Sequence, residues 1–286
     1  MNVLEARAIL FSCLEGGADF WTREIDAHGP LEVLQKLRGG VYDPIRFETT
    51  ISRVQATDPS SVLNAIASSG SQFLTPEDPQ WPTNLNDLSA IPIGLVVKGC
   101  VDALQIPSLA IVGTRNPTNY GVRIAGDFAA GFVDREWAIL SGGAYGIDAA
   151  AHRGALVAEG VTVAVLAAGI DVNYPAGHVN LFAEIAETGA LVSEVMPGVR
   201  AIPARFLTRN RLIAALSSAT LVVEAAFRSG SLRTARDAAE LMRPVMAIPG
   251  PITSATSEGC HRLIGERAAE IVTSVVDAVE FVASYR

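Results

Sequence analysis

The sequence predicts an α/β fold: an extended Rossmann-like, doubly wound and mostly parallel sheet, preceded by a small all-helical domain. Three observations carry that reading. Two apolar runs, Leu109 to Val112 and Trp137 to Leu140, each empty into a glycine-bearing loop, Gly113-Thr114-Arg115 and Ser141-Gly142-Gly143, and then into a helix-periodic segment. These runs are continuously apolar where a half-exposed strand would alternate, so helices must cover both faces of the sheet. The same strand-loop-helix unit then recurs to the end of the chain. In such sheets ligands sit beyond the carboxyl ends of the strands, where helix N-termini present free N–H groups suited to anions.

In order, residues 1 to 70 read as helices joined by loops: Val3 to Leu14, Leu31 to Leu37, Ile45 to Val54 and Ser60 to Ser68, the last opened by Asp58-Pro59. Leu31, Leu34 and Leu37 recur at helical spacing and define a buried stripe. His28-Gly29-Pro30 before Leu31 reads either as a helix-turn-helix or hairpin element or as part of a packing module. From Gly70 to Asp102 the composition shifts to Pro, Asp, Asn and Trp, which predicts an extended connector with one short strand over Gly94 to Val97 and a domain boundary near residue 70. The second domain, 71–286, continues with strands over Val161 to Ala168, Leu191 to Val195, Ala219 to Ala225 and Val245 to Pro249, and a short one at Ile271-Val272. Helices are expected over His178 to Ala186, Arg209 to Leu216, Leu232 to Leu241 and Val275 to Ala283.

Bulk properties bound the function. The chain has 286 residues, 49% of them hydrophobic, enough to bury a large core. Its longest apolar runs fall short of the roughly 20 residues that span a bilayer, and Glu5 and Arg7 interrupt the N-terminus where a secretory signal would be apolar. A cytoplasmic protein without a membrane partner is expected. Cys13, Cys100 and Cys260 are odd in number and far apart, which speaks against a disulfide framework or a zinc knuckle. The net charge of −8 is unevenly spread: Arg200 to Arg243 holds eight arginines against Glu224, Asp237 and Glu240, a local +5 that leaves −13 for the remainder. Lysine is confined to Lys36 and Lys98, so cationic work falls to arginine, which grips phosphate bidentately and stacks on bases.

The candidate site residues lie at the strand ends. Gly113 lets a ligand approach the backbone, Thr114 offers a hydroxyl and Arg115 can fork onto a phosphate, with Tyr120 and Gly121 at the start of the helix that follows. The pattern is not GxGxxG, and no acidic residue closes the second strand to hold a ribose, so dinucleotide redox chemistry is not expected. Ser141, Gly142, Gly143 and Gly146 form a second glycine loop, with Asp148 placed to cap the helix it opens. Thr208 reads as an N-cap that puts Arg209, Asn210 and Arg211 in a first helical turn; cations there are unfavourable, by several tenths of a kcal/mol each, and call for an anionic ligand. Ser229, Gly230 and Ser231 supply another anion-friendly turn, with Ser231 as N-cap, and Phe206 and Tyr120 are candidates for base stacking. Nothing in the sequence pairs a nucleophile with a base, clusters metal ligands or pairs carboxylates; no cofactor, metal or catalytic residue is expected.

The segments VGTRNPTNYG, SGGAYGIDAAAH, AAGIDVNYP, FLTRNRLIAALS, VVEAAFRSGSLRTARDA and AIPG followed by SEGCHRLI resemble, in order and spacing, the DprA/Smf (DNA processing protein A) family, over about residues 71 to 273. The resemblance implies an extended Rossmann domain that binds single-stranded DNA, forms dimers, protects incoming DNA and loads the RecA recombinase during natural transformation, with no established catalytic activity. It also implies phosphate contacts from the GTR arginine and the strand-end loops, here Gly113, Arg115, Ser141, Gly142, Arg209 and Arg211. Leu207, His261 and Arg267 stand where the family usually has proline, asparagine and glycine, and the C-terminal winged helix that many members carry is not expected here. Another reading is an enzyme similar to the lysine-decarboxylase-like phosphoribohydrolases; their PGGxGTxxE motif is replaced by SGSLRTARDAAE.

Overall fold

The computed structural model describes residues 1–285. Among these, four helices open the chain: α1 (Val3–Cys13), α2 (Asp19–Arg38), α3 (Glu48–Ala56) and α4 (Pro59–Ser68). Asn2 and Glu5 form a reciprocal capping box on α1, and Asp58 caps α4 ahead of Pro59. The predicted helix over Leu31 to Leu37 is the second half of α2, which begins at Asp19 and continues through His28-Gly29-Pro30. Gly29 (φ 78°, ψ 157°) breaks its regular geometry, and Pro30 has no N–H to restore the helical bond there. Conversely α3 starts later than Ile45, because the Asp43 carboxylate accepts from the N–H groups of Ile45 and Arg46 and holds them in a turn.

Nine strands among the described residues form one sheet: β1 (Gln72–Leu74), β2 (Leu95–Gly99), β3 (Ser108–Val112), β4 (Ala138–Ser141), β5 (Thr162–Leu166), β6 (Ala190–Ser193), β7 (Ala219–Val222), β8 (Val245–Ala247) and β9 (Glu270–Ile271). Their order is β1-β2-β6-β5-β4-β3-β7-β8-β9. Strands β3 to β9 pair in parallel, while β1 and β2 add an antiparallel edge beside β6. The edge strand β1 and the helix α10 (Glu258–Gly265) are additions to the predicted elements. The remaining helices are α5 (Asn119–Val133), α6 (Ile147–Val157), α7 (Val179–Thr188), α8 (Pro203–Leu216), α9 (Ser231–Glu240) and α11 (Val275–Ala283), the last as predicted.

Strand residues alternate between two cores. Ala110, Val112, Leu140, Val163, Val165 and Val192 join residues of α8, α9 and α10 on one face. Leu109, Ile111 and Ile139 join α5, α6 and α11 on the other. On that second face, Val96, Ala164, Leu166 and Leu191 join α7 and the four N-terminal helices in one continuous apolar cluster. Counting outward from β3, the chain fills the sheet through β4, β5 and β6 in one direction and then through β7, β8 and β9 in the other, so the winding reverses between β3 and β7. A crevice opens at the carboxyl ends of strands at such a reversal. Among the described residues no helix is long and apolar enough to cross a membrane.

Candidate functional site

A cleft of about 590 Å³ lies at this reversal. Gly113-Thr114-Arg115 after β3 forms one wall, Phe206, Arg209 and Asn210 of α8 another, and Ser229-Gly230-Ser231 at the start of α9 a third, with Asp148 of α6 at its base. The first loop is pinned by backbone: Thr114 N–H donates to the Glu224 carbonyl (2.6 Å), and the Thr114 carbonyl accepts from Ile147 N–H (3.1 Å). The Glu224 carboxylate accepts from the N–H and hydroxyl of Thr118, the N-cap of α5, and from Thr256. It ties together the loops on both sides of the switch point.

The local structure corrects three sequence expectations. Thr208 is not an N-cap: α8 begins five residues earlier, with Pro203 in its first turn, and the Thr208 hydroxyl donates back to the Ala204 carbonyl (3.2 Å). Arg209, Asn210 and Arg211 are therefore in mid-helix, where Arg209 and Asn210 face the cleft and Arg211 turns to the other side. Ser231 is the first residue of α9 and Gly230 its N-cap; the Ser231 hydroxyl pairs with that of Ser229 (2.7 Å). Asp148 does not cap α6, whose N-cap is Gly146; its carboxylate accepts instead from Gly142 N–H (3.1 Å) and Ala144 N–H (3.3 Å), so it holds the glycine loop.

Arg209 is the central cation. It is only 7% exposed, and its Nη1 donates to the Val165 carbonyl (2.6 Å) while Nε has no hydrogen-bond partner among the described residues. Burial lowers its pKa to about 10, against the attraction of Asp148, and the like charge of Arg115 lowers it further. Burial likewise pushes the Asp148 carboxyl upward, opposed by Arg209 and by the two N–H bonds. Two guanidinium groups that repel one another across a cleft, beside the N-terminus of a ten-residue helix, make a site for an anion.

The aromatic side chains complete it. The Arg115 guanidinium lies 5.2 Å from the centroid of the Phe206 ring, and the Tyr174 ring lies 5.4 Å from Phe206 on a tilted plane. Arg115 and Tyr174 are exposed. Arg115, Tyr174 and Phe206 also line a smaller adjoining pocket of about 330 Å³ with Gly142 and Tyr145. A partly exposed aromatic ridge between two hollows suits nucleobases, whose faces stack on rings and guanidinium planes regardless of sequence.

Other candidates are drawn away from the cleft. Arg211 is paired with Glu194 through Nη2 (2.5 and 2.7 Å) and donates through Nη1 to the Ala90 carbonyl (2.7 Å). The Tyr120 hydroxyl donates to the Pro249 carbonyl (3.1 Å), and Gly121 packs on the Glu224 carboxylate. The Ser141 hydroxyl is buried on the Ile111 carbonyl (2.6 Å), and Gly143 and Gly146 are turn positions with φ of 67° and 85°. Tyr174 and Tyr145, absent from the sequence-based set, are supplied by the loops after β5 and β4.

The chain matches the sequence profile of DNA recombination-mediator protein A over residues 72–283. It belongs to that family. A putative DNA processing protein DprA of Mycobacterium tuberculosis is 43% identical over 267 residues, 89% of this chain and 68% of that one. DNA processing protein DprA of Streptococcus pneumoniae is 40% identical over 202 residues, 71% of each. Protein Smf of Escherichia coli is 43% identical over 209 residues, 72% of this chain and 56% of that one. Among solved structures, DprA from Streptococcus pneumoniae superposes with a TM-score of 0.82 at 31% identity, over 97% of this chain and 95% of that one. DNA processing protein A from Helicobacter pylori, described for its single-stranded DNA binding mode, superposes at 0.68 with 28% identity, over 76% of this chain and 98% of that one. The α/β architecture, with its mostly parallel sheet, is thus the architecture of the DNA recombination-mediator family.

Proposed function

We propose that this chain binds single-stranded DNA in the cleft between β3 and β7, with no reaction catalysed there. The observation that carries the reading is the Arg115–Phe206–Tyr174 ridge beside the buried Arg209, whose Nε has no partner among the described residues. Arg115 and Arg209 meet the phosphates, the Ser229-Gly230-Ser231 turn adds N–H and hydroxyl donors, and Phe206 with Tyr174 stacks unpaired bases. A duplex keeps its bases stacked on each other and leaves such a ridge unfilled. The Helicobacter pylori relative, whose structure is described for single-stranded DNA binding, supports the same ligand here. The wider role follows the family: a cytoplasmic homodimer that protects incoming DNA and hands it to RecA in transformation and recombination.

Fluorescence anisotropy with labelled single-stranded and duplex oligonucleotides at two salt concentrations tests the ligand. Salt-sensitive binding that favours the single strand is expected. Equal affinity for both forms, or no binding at the lower salt, overturns the reading; in the second case single nucleoside phosphates become the ligands to screen.

A further inference from the structure

Helix α8 carries two sets of contacts on opposite sides. At 3.6 residues per turn, Phe206, Arg209, Asn210 and Ile213 share the side that faces the cleft, while Arg205, Thr208 and Arg211 share the other. Against that other side lies the turn between α1 and α2, residues 14–18. Arg205 donates to the Glu15 carboxylate through Nε (3.2 Å) and Nη2 (2.7 Å). Gly16 sits on the Glu194 carboxylate so closely that any Cβ would collide with it. Gly17, at φ +73°, faces the Thr208 methyl, 2.8 Å from where its Cβ would be, and Arg211 Nε. Glu194, directly after β6, holds Arg211 with both oxygens. Between turn and helix is a cavity of about 280 Å³ lined by Glu15, Gly16, Glu194, Arg205 and Thr208, and Arg209 lines this cavity as well as the cleft.

We propose that the 14–18 turn is a positioning element for the DNA-binding side of α8, so that the N-terminal helices set single-stranded DNA affinity without touching the strand. The inference rests on the binding of single-stranded DNA at the cleft. A helix moves as a rigid body, so a shift of the side that holds Glu15 and Glu194 displaces Phe206 and Arg209 with it. The coupling is reciprocal: whatever factor docking adds to DNA affinity, bound DNA adds to docking.

The test compares Glu15→Arg, Arg205→Glu and the charge-swapped double variant in the full chain, by oligodeoxythymidine anisotropy and by melting temperature. Positioning predicts that each single variant binds about fivefold more weakly and that the double variant regains most of the loss. Glu15→Arg is decisive, because it adds a positive charge: if Arg205 merely attracts phosphate, this variant binds DNA as well as or better than the parent, and the proposal is overturned. Failure of the double variant to recover overturns it too. If a variant does not fold, amide hydrogen exchange on the parent chain decides: saturating oligodeoxythymidine must slow exchange across residues 15–18, and unchanged exchange there contradicts the coupling. Phe206→Ala separates the two readings. A parent that does not bind, or binds equally well without Phe206, removes the cleft reading and this proposal together; binding that needs Phe206 but ignores Glu15→Arg removes this proposal alone.

Discussion

The Arg209 guanidinium occupies the space into which a Cβ on Gly142 would project. The glycine loop after β4 and helix α8 thereby meet at one point: the loop holds Asp148 through its N–H groups, and the helix brings the buried cation to the same place. A loop that looks like a simple strand-to-helix turn is in this fold the seat of the site's central charge.

Gly142→Ala follows directly. The added methyl must displace Arg209, which is held by the Val165 carbonyl, so the variant is expected to lose about 2 kcal/mol of stability in urea unfolding. Single-stranded DNA affinity should fall by about tenfold, the scale of one charge-assisted hydrogen bond. An intact affinity would mean that Arg209 does not face the phosphates.

Arg115 is exposed and stacked on Phe206, so Arg115→Ala leaves the core alone. The expected result is weaker binding to every sequence tested and a plot of log affinity against log salt that is flatter by about one phosphate contact. Unchanged slope in a folded variant removes Arg115 from the phosphate path.

His152 gives the fold an acid sensitivity. It is fully buried; its Nδ1 pairs with the Thr162 hydroxyl (2.7 Å), which donates its own proton to the Ile139 carbonyl, so Nδ1 carries the hydrogen of a neutral ring. Nε2 has no partner among the described residues. Burial, with the charges of His178 and Arg209, depresses its pKa from 6.5 to about 3. Below pH 6.5 the unfolded chain takes up a proton that the folded chain refuses, so stability falls as the pH drops. Between pH 7 and pH 5 the parent should lose about 2 kcal/mol more than a His152→Leu variant in denaturant unfolding. Parallel pH profiles would contradict a neutral buried ring.

The thiols should differ sharply. Cys100 is exposed, whereas Cys13 and Cys260 are buried, and Cys260, 3.6 Å from the Val222 and Val223 carbonyls, is pushed up to about 12 by its burial. Brief iodoacetamide treatment of the native chain is expected to label Cys100 alone, with the other two labelled only after unfolding. Native labelling of Cys260, read by peptide mass, would show that α10 opens readily.

Much of the architecture was legible because the buried parallel strands are written as continuous apolar runs, and because Asp58 caps α4 with its own side chain, accepting from Ser61 N–H. The start of α8 was not: its N-cap is Ile202, which makes no side-chain cap bond, so the start is marked by Pro203 alone, and the cap-like Thr208 five residues later misled. β1 has three residues and owes its pairing to β2, more than twenty positions later. Gly113, Gly142, Arg115 and Phe206 line the two hollows from positions that local pattern singles out, whereas Arg209 reaches the cleft from mid-helix and not from the first turn that a Thr208 cap would give. Tyr174 reaches Phe206 only through the fold, and the partners that withdraw Arg211 from the cleft, Glu194 and Ala90, are remote in sequence. An arginine's neighbours on its own helix do not reveal which side of the helix faces a ligand.

Photocrosslinking tests the central claim most directly. A single-stranded oligonucleotide carrying 5-bromodeoxyuridine, bound to the chain, irradiated and mapped by peptide mass, should attach to Phe206 or Tyr174, with the crosslink lost at high salt. Crosslinks confined to the N-terminal helices or to the α10–α11 end of the sheet would place the strand elsewhere and contradict a binding cleft between β3 and β7.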